Sequence, residues 1–371
     1  MKNSKIIPFF DYPQVYLRDK ENLLEIFNNV CSRGAFILQK DKTDFEKKLS
    51  KYVKSKYSVG VGNATDGLEI CCLAMKLKSG DEIICSSHTM IATASAIKFA
   101  GGVPVPVDIG VDGLIDPESI VENITANTVG IMPTQLNGRT CDMDKIISIC
   151  KKYNLFLIED AAQSLGSKFK GQNAGTFGSA GVISFFPAKV LGSLGDAGGI
   201  ITSDYNLFDK FYQLHDHGRN IEGDLKSWGK NSRLDNLQAA FLNHNLNTHD
   251  IVISRRREIA RIYNNRLSSL EELTLPPGPD VDENHFDIYQ NYEIQAKKRN
   301  ELKDFLHING VGTLIQWGGK GVHQWNELNF NLSLPKVESF FKNCIMLPMN
   351  YFISDDDVHY ICDRVIEFYR S

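Results

Sequence analysis

Between Lys56 and Ser203 the chain alternates short apolar runs with stretches of helical periodicity: KYSVGVG before LEICCLAMKL, DEIICSS before TMIATASAIKFA, then GVPVPVD, TVGIMPT, MDKIISICKKY, LFLIEDAA, AGVISFF and GGIITS. Several runs are apolar throughout rather than at every second residue, the pattern of strands covered on both faces. Few architectures accept that order. It predicts an open, largely parallel α/β sheet flanked by helices. After about residue 245 the rhythm changes: a charged helical stretch over 251–269 leads through LPPGPDVDENH to a strand-like NYEIQA and a helix, RNELKDFLHING, that Gly310 ends. The expected division is a larger domain over 1–250, N-terminal segment included, and a smaller α+β domain over 251–371.

Composition narrows the function classes. Lys+Arg of 41 against Asp+Glu of 45 leaves a net charge of -4, with no basic excess to recruit nucleic acid. The densest basic run, Arg255-Arg256-Arg257, lies in a helical stretch and reads as a solvated face. The eight cysteines show no C-x-x-C spacing and sit mostly in apolar segments, as reduced core residues of a cytoplasmic protein do. No signal-peptide core opens the chain, and no apolar run approaches the roughly 18 residues that would span a bilayer. His215 and His217 are not accompanied by a cysteine or carboxylate cluster at ligand spacing, so no metal is expected.

In an open α/β sheet, ligands sit beyond the carboxyl ends of the strands, which directs attention to polar residues just after apolar runs. Asn63, Ala64, Thr65 and Asp66 stand between a strand and a helix, where free N–H groups favour a phosphate, or where Thr65 or Asp66 is an ordinary cap. Gly60, Gly62 and Gly67 do not make a dinucleotide fingerprint. Asp160 follows LFLIE; a carboxylate there needs a cation or several hydrogen bonds, and it either faces a protonated ring nitrogen or caps the next helix. Lys189 emerges from GVISFF into a stretch with Gly192, Gly195, Gly198 and Gly199, either as an amine brought against a bound aldehyde or as a surface lysine. Ser184, late in that run, has a hydroxyl suited to a phosphate oxygen. Asn231 and Arg233 precede a further helix and can reach an anion or cap it.

Taken in order, GNATDG, SSHTMIATA, IEDAAQSLGS, GVISFFPAKVLGSLGDAGG, DHGRN and NSRLDNLQAA resemble the DegT-type sugar aminotransferases, pyridoxal phosphate (PLP) enzymes of fold type I. The resemblance covers about residues 6 to 365. It implies a large domain with a mostly parallel central sheet, a smaller α+β C-terminal domain, and a homodimer with shared active sites. It further implies that Lys189 holds PLP covalently, Asp160 pairs with the pyridine nitrogen, Gln163 contacts the ring hydroxyl, and Ala64, Thr65 and Ser184 hold the phosphate. Asn231 is similar to the asparagine that reaches the phosphate from the second subunit. The resemblance also implies a stacking residue at His88 or Met90, of which His88 is preferred because Met90 carries no ring.

The implied reaction moves an amino group from L-glutamate to a nucleotide-linked keto sugar, the cofactor cycling between PLP and pyridoxamine phosphate, in amino-sugar and surface-glycan biosynthesis. Arg233, Gln316, Trp317, Lys320 and His323 are the substrate-side residues. Two departures bear on the substrate: Gln135 stands where many relatives carry histidine, and IQWGGKGVHQW replaces a proline-containing segment while keeping His323. The SLGDAGG ending looks closer to relatives that aminate C3 of the sugar than C4. A PLP-dependent sugar dehydratase would carry histidine where Lys189 stands. A cofactor-binding regulatory member without turnover is the other alternative.

Overall fold

The computed structural model describes residues 5–370. Seven strands form the main sheet: β1 (Tyr57–Val61), β2 (Glu82–Ser86), β3 (Val103–Val107), β4 (Thr128–Met132), β5 (Phe156–Asp160), β6 (Ala180–Ser184) and β7 (Gly198–Thr202). Their spatial order is β1-β7-β6-β5-β4-β2-β3. Only β7 runs against its neighbours; every other pairing is parallel. Both faces are covered, and this is why the strands read as apolar without alternation. In β2, Ile83 and Cys85 pack with Leu68, Ile97 and Phe211 on one side, while Ile84 packs with Val107, Ile131 and Ile146 on the other.

A second, antiparallel sheet joins β8 (Leu273–Thr274), β9 (Tyr292–Ala296) and β10 (Cys344–Leu347). Its core, built on Tyr263, Tyr292, Leu302, Leu306, Ile345 and Ile361, is separate from the clusters of the main sheet. The N-terminal segment also joins this layer. Ile7 is buried there, donating to Gly310 O and accepting from Gly312 N, each at 2.8 Å.

The helix His249–Leu267 connects the two layers, and it corrects the expectation for the basic run. Arg255 stays near solvent beside Asp355, but Arg256 and Arg257 are each only 8% exposed. Segment 287–290 covers that face of the helix and offers carbonyls instead of water. Arg256 Nη1 donates to Tyr289 O (3.0 Å) and Gln290 O (3.1 Å), and Arg257 Nη1 to Asp287 O (2.8 Å). All eight cysteines are unpaired and seven are buried. Among the described residues no helix is long and apolar enough to cross a membrane, and no cluster of ligating side chains could hold a metal ion.

Candidate active site

One row of the sheet organises the site. Val61 of β1 pairs with Gly198 of β7, which pairs with Ser184 of β6. One strand further on, Asp160 ends β5 opposite Val182. A cavity of about 400 Å³ opens beyond these strand ends, and Ala64, Thr65, Asp160, Gln163, Ser184 and Lys189 all line it. Register aligns the strand ends, and the turns and helix start that follow them carry Ala64, Thr65, Gln163 and Lys189 to the same cavity.

At one corner the helix Ala64–Ala74 begins. Its cap is Asn63 rather than Thr65 or Asp66: Asn63 Oδ1 accepts from Asp66 N at 2.8 Å. The N–H groups of Ala64 and Thr65 have no acceptor within the helix, as at any helix start. The Asn63–Ala64 peptide rests against Gly198, where a Cβ would lie 2.6 Å from Asn63 C and 2.7 Å from Ala64 N. Glycine at 198 is what lets this helix start approach the Ser184 hydroxyl. Free N–H donors, a helix dipole and a hydroxyl together suit a phosphate.

Asp160 is 3% exposed. Its Oδ2 accepts from Thr93 Oγ1 (2.7 Å) and its Oδ1 from Ala162 N (3.1 Å). Burial pushes its carboxyl above the ordinary range, opposed by the Thr93 and Ala162 hydrogen bonds and by the charge of Lys189. Two hydrogen bonds leave a buried carboxylate short of compensation, and a cationic ring nitrogen would supply it. Burial lowers the Lys189 amine to about 8, and Asp160 alone opposes the shift. The lysine's turn is held from outside. Gln290 accepts from Val190 N and donates to Ala188 O, both at 2.9 Å, gripping the peptide on either side of Lys189. Gly192 closes the bend, its missing Cβ leaving room for Pro187 O 2.6 Å away. A helix start for a phosphate, a carboxylate short of a cation and a partly neutral amine therefore face one cavity, and the residues present fit PLP.

Gln163 Oε1 accepts from Asn137 N at 2.9 Å, so the amide nitrogen is the end left for a ligand. Gln316 and Trp317 also line the cavity. Lys320 lies in an adjoining groove that shares Met90 and Trp317 with it, its Nζ 4.7 Å from the centre of the Trp325 ring.

Four expected residues are not brought here. His88 turns to the far side of the β2 end, where Nδ1 meets Gly113 O at 2.8 Å and its ring packs on Phe340 and Phe341. Met90, two residues on and 51% exposed, is the one that lines the cavity. The stacking expectation for His88 is corrected on that ground, since its ring is walled off. His323 is buried between Ser87 Oγ (2.6 Å) and Glu338 Oε1 (3.3 Å). Asn231 and Arg233 bond to each other, and Arg233 Nη1 also bonds Asp216 Oδ1 at 3.0 Å, away from their own chain's cavity. Gln135 likewise points inward, donating to Glu159 Oε2 (2.7 Å) and accepting from Cys141 N (2.6 Å), and does not line the cavity.

Thr93, Gln290, Asn291 and Asn137 join the site in addition to the expected residues. Thr93 had a local signal, because Thr89 and Thr93 are one helical turn apart and their hydroxyls meet at 2.7 Å beside Asp160. The other three act across long sequence separations that no local pattern encodes.

The chain matches the model of the DegT/DnrJ/EryC1/StrS aminotransferase family over residues 18–366. It is 34% identical to the "Pleiotropic regulatory protein" of Geobacillus stearothermophilus, covering 98% of this chain and 99% of that one. It is equally 34% identical to the "dTDP-3-amino-3,6-dideoxy-alpha-D-galactopyranose transaminase" of Aneurinibacillus thermoaerophilus, covering 98% of each. The crystal structure of NtdA from Bacillus subtilis with bound cofactor PMP superposes with a TM-score of 0.91 at 27% identity, over all of this chain and 87% of that one.

Proposed function

The chain belongs to the DegT/DnrJ/EryC1/StrS aminotransferase family of PLP-dependent nucleotide-sugar transaminases, and from that premise we propose that it transfers an amino group from L-glutamate to a nucleotide-linked 3-keto sugar. The observation that carries the reading is the pairing of Lys189 and Asp160 in one cavity with the open helix start at Ala64. Bound PLP supplies an electron sink that lets the α-C–H bond of an amine ionise. Lys189 would hold the cofactor and, once displaced, move the proton at the substrate carbon, for which an amine with its pKa near 8 is suited. Asp160 would hold the pyridine nitrogen protonated, an electrostatic task that its burial strengthens. Ala64, Thr65 and Ser184 would bind the phosphate, and Gln163 would donate to the ring oxygen. Gln316, Trp317 and Lys320 form the side from which the sugar nucleotide would enter.

Asn231 and Arg233 fit the reading only if a second copy of the chain brings them to this cavity. The loop before them supports that arrangement, because Ile221, Leu225 and Trp228 are 70%, 75% and 96% exposed, an apolar surface that association would cover. The unpaired, mostly buried thiols support work in a reducing cytoplasm. The C3 reading is supported by the Aneurinibacillus relative, which is named as the transaminase of a 3-amino sugar.

A regulatory role without turnover is the second reading, favoured by the Geobacillus relative, which is called a pleiotropic regulatory protein. Glutamate separates the two. Purified protein loaded with PLP is expected to lose its near-visible absorbance on addition of L-glutamate alone, with one 2-oxoglutarate formed per site. Absorbance unmoved by glutamate would instead support the regulatory reading.

A further inference from the structure

Behind the wall of the active-site cavity lies a second cavity of about 80 Å³, lined by His88, Asn137, Asn291 and Glu293 among others. Its buried groups are unevenly satisfied. Gly113 O can only accept, so His88 Nδ1, 2.8 Å away, carries a proton. His88 Nε2 then faces Glu293 Oε2 at 3.4 Å with no formed hydrogen bond, and Glu293 Oε1 has no hydrogen-bond partner either. The firm attachment of that glutamate is elsewhere. Asn137 Nδ2 donates to Glu293 Oε2 at 2.7 Å.

Asn137 is a junction. Its Oδ1 accepts from Asn291 Nδ2 and from Gln316 Nε2, each at 2.8 Å, and its backbone N–H donates to Gln163 Oε1 at 2.9 Å. Gln163, Asn291 and Gln316 all line the active-site cavity, whereas Glu293 and His88 line only the cavity behind. The backbone at Asn137 is left-handed, with φ of 55°, a conformation asparagine tolerates and most residues do not. Each amide around the junction has two orientations, and only its partners decide which end turns to the ligand.

We propose that Asn137 is a positioning residue: braced from behind by Glu293, it fixes the amides of Gln163, Asn291 and Gln316 in the orientation they present to the cofactor and substrate. The donor end of Gln163 faces the ligand because its oxygen is occupied by Asn137. Were the brace lost, the Asn137 side chain would be free to flip and meet Asn291 and Gln316 with its NH2 end, and their amides would turn over in response. The inference rests on the reading that this cavity holds PLP.

The test is cofactor affinity, measured by titrating apoprotein with PLP and following its absorbance. Asn137→Asp replaces the donor toward Glu293 by a second carboxylate in a buried site. It is expected to weaken PLP binding roughly tenfold or more. Adding Glu293→Gln restores a donor and acceptor pair with the polarity reversed, and the double variant is expected to recover to within about threefold of the unsubstituted protein. Asn137→Gly provides a second arm if Asn137→Asp does not fold, since it keeps the left-handed backbone and the N–H to Gln163 while deleting the junction. It too is expected to lose roughly tenfold. Unchanged affinity in the variant that folds, or a loss in Asn137→Asp that Glu293→Gln does not relieve, would overturn the proposal. Failure of the unsubstituted protein to bind PLP would instead overturn the reading of the cavity itself.

Discussion

The neutral fraction of one amine can be worked out from the site and measured directly. Burial takes Lys189 from the ordinary 10.5 to about 8, with Asp160 pulling the other way. At pH 7 an amine of pKa 8 is about one-tenth neutral, against roughly three parts in ten thousand at 10.5, an advantage of about 300-fold. The assay mixes apoprotein with PLP, follows absorbance as the lysine–cofactor bond forms, and divides each rate by that of a free lysine derivative at the same pH. That ratio removes the titration of PLP itself. Whatever factor binding itself adds, the ratio is expected to be level below pH 8 and to fall as pH rises past it, because Lys189 is then mostly neutral while the free amine continues to gain. Asp160→Asn deletes the charge that favours the ammonium form, so desolvation acts unopposed and the midpoint moves below 8. A midpoint near 10.5, or an upward shift in Asp160→Asn, would refute the reasoning.

Two further outcomes follow from the geometry. Gly198→Ala places a methyl group 2.6 Å from Asn63 C and 2.7 Å from Ala64 N, so the helix start must retreat from Ser184; overpacking of this kind costs about 1–3 kcal/mol, read by denaturant unfolding, and PLP affinity is expected to fall with it. If sites are shared across a symmetric dimer, refolding Lys189→Ala together with an Asn231→Ala/Arg233→Ala variant gives hybrids with one intact site, and about a quarter of full turnover should return from two inactive parents; no recovery argues that each chain builds its site alone.

What the sequence disclosed depended on how local the determinant was. The strands of the main sheet were legible because covering both faces leaves uninterrupted apolar runs, and Asp160 and Ser184 were legible because they end such runs. Lys189 was legible through the glycines around it, of which Gly192 admits a carbonyl and Gly198 a helix start. His88 was misjudged because its environment is set by Phe340, Phe341 and Glu293, more than 200 residues away. Arg256 and Arg257 were misjudged for the same reason: a charged run reads as solvated until segment 287–290 is seen to cover it. Gln290 and Asn137 carry no local mark at all, since a glutamine that grips a loop 100 residues away looks like any surface amide.

The identity of the residue bonded to the cofactor tests the account most directly. PLP-loaded protein would be reduced with borohydride, digested and mapped by mass spectrometry. A single modified peptide carrying the reduced cofactor on Lys189 is the expected result. Modification at another lysine, or at none, would contradict it.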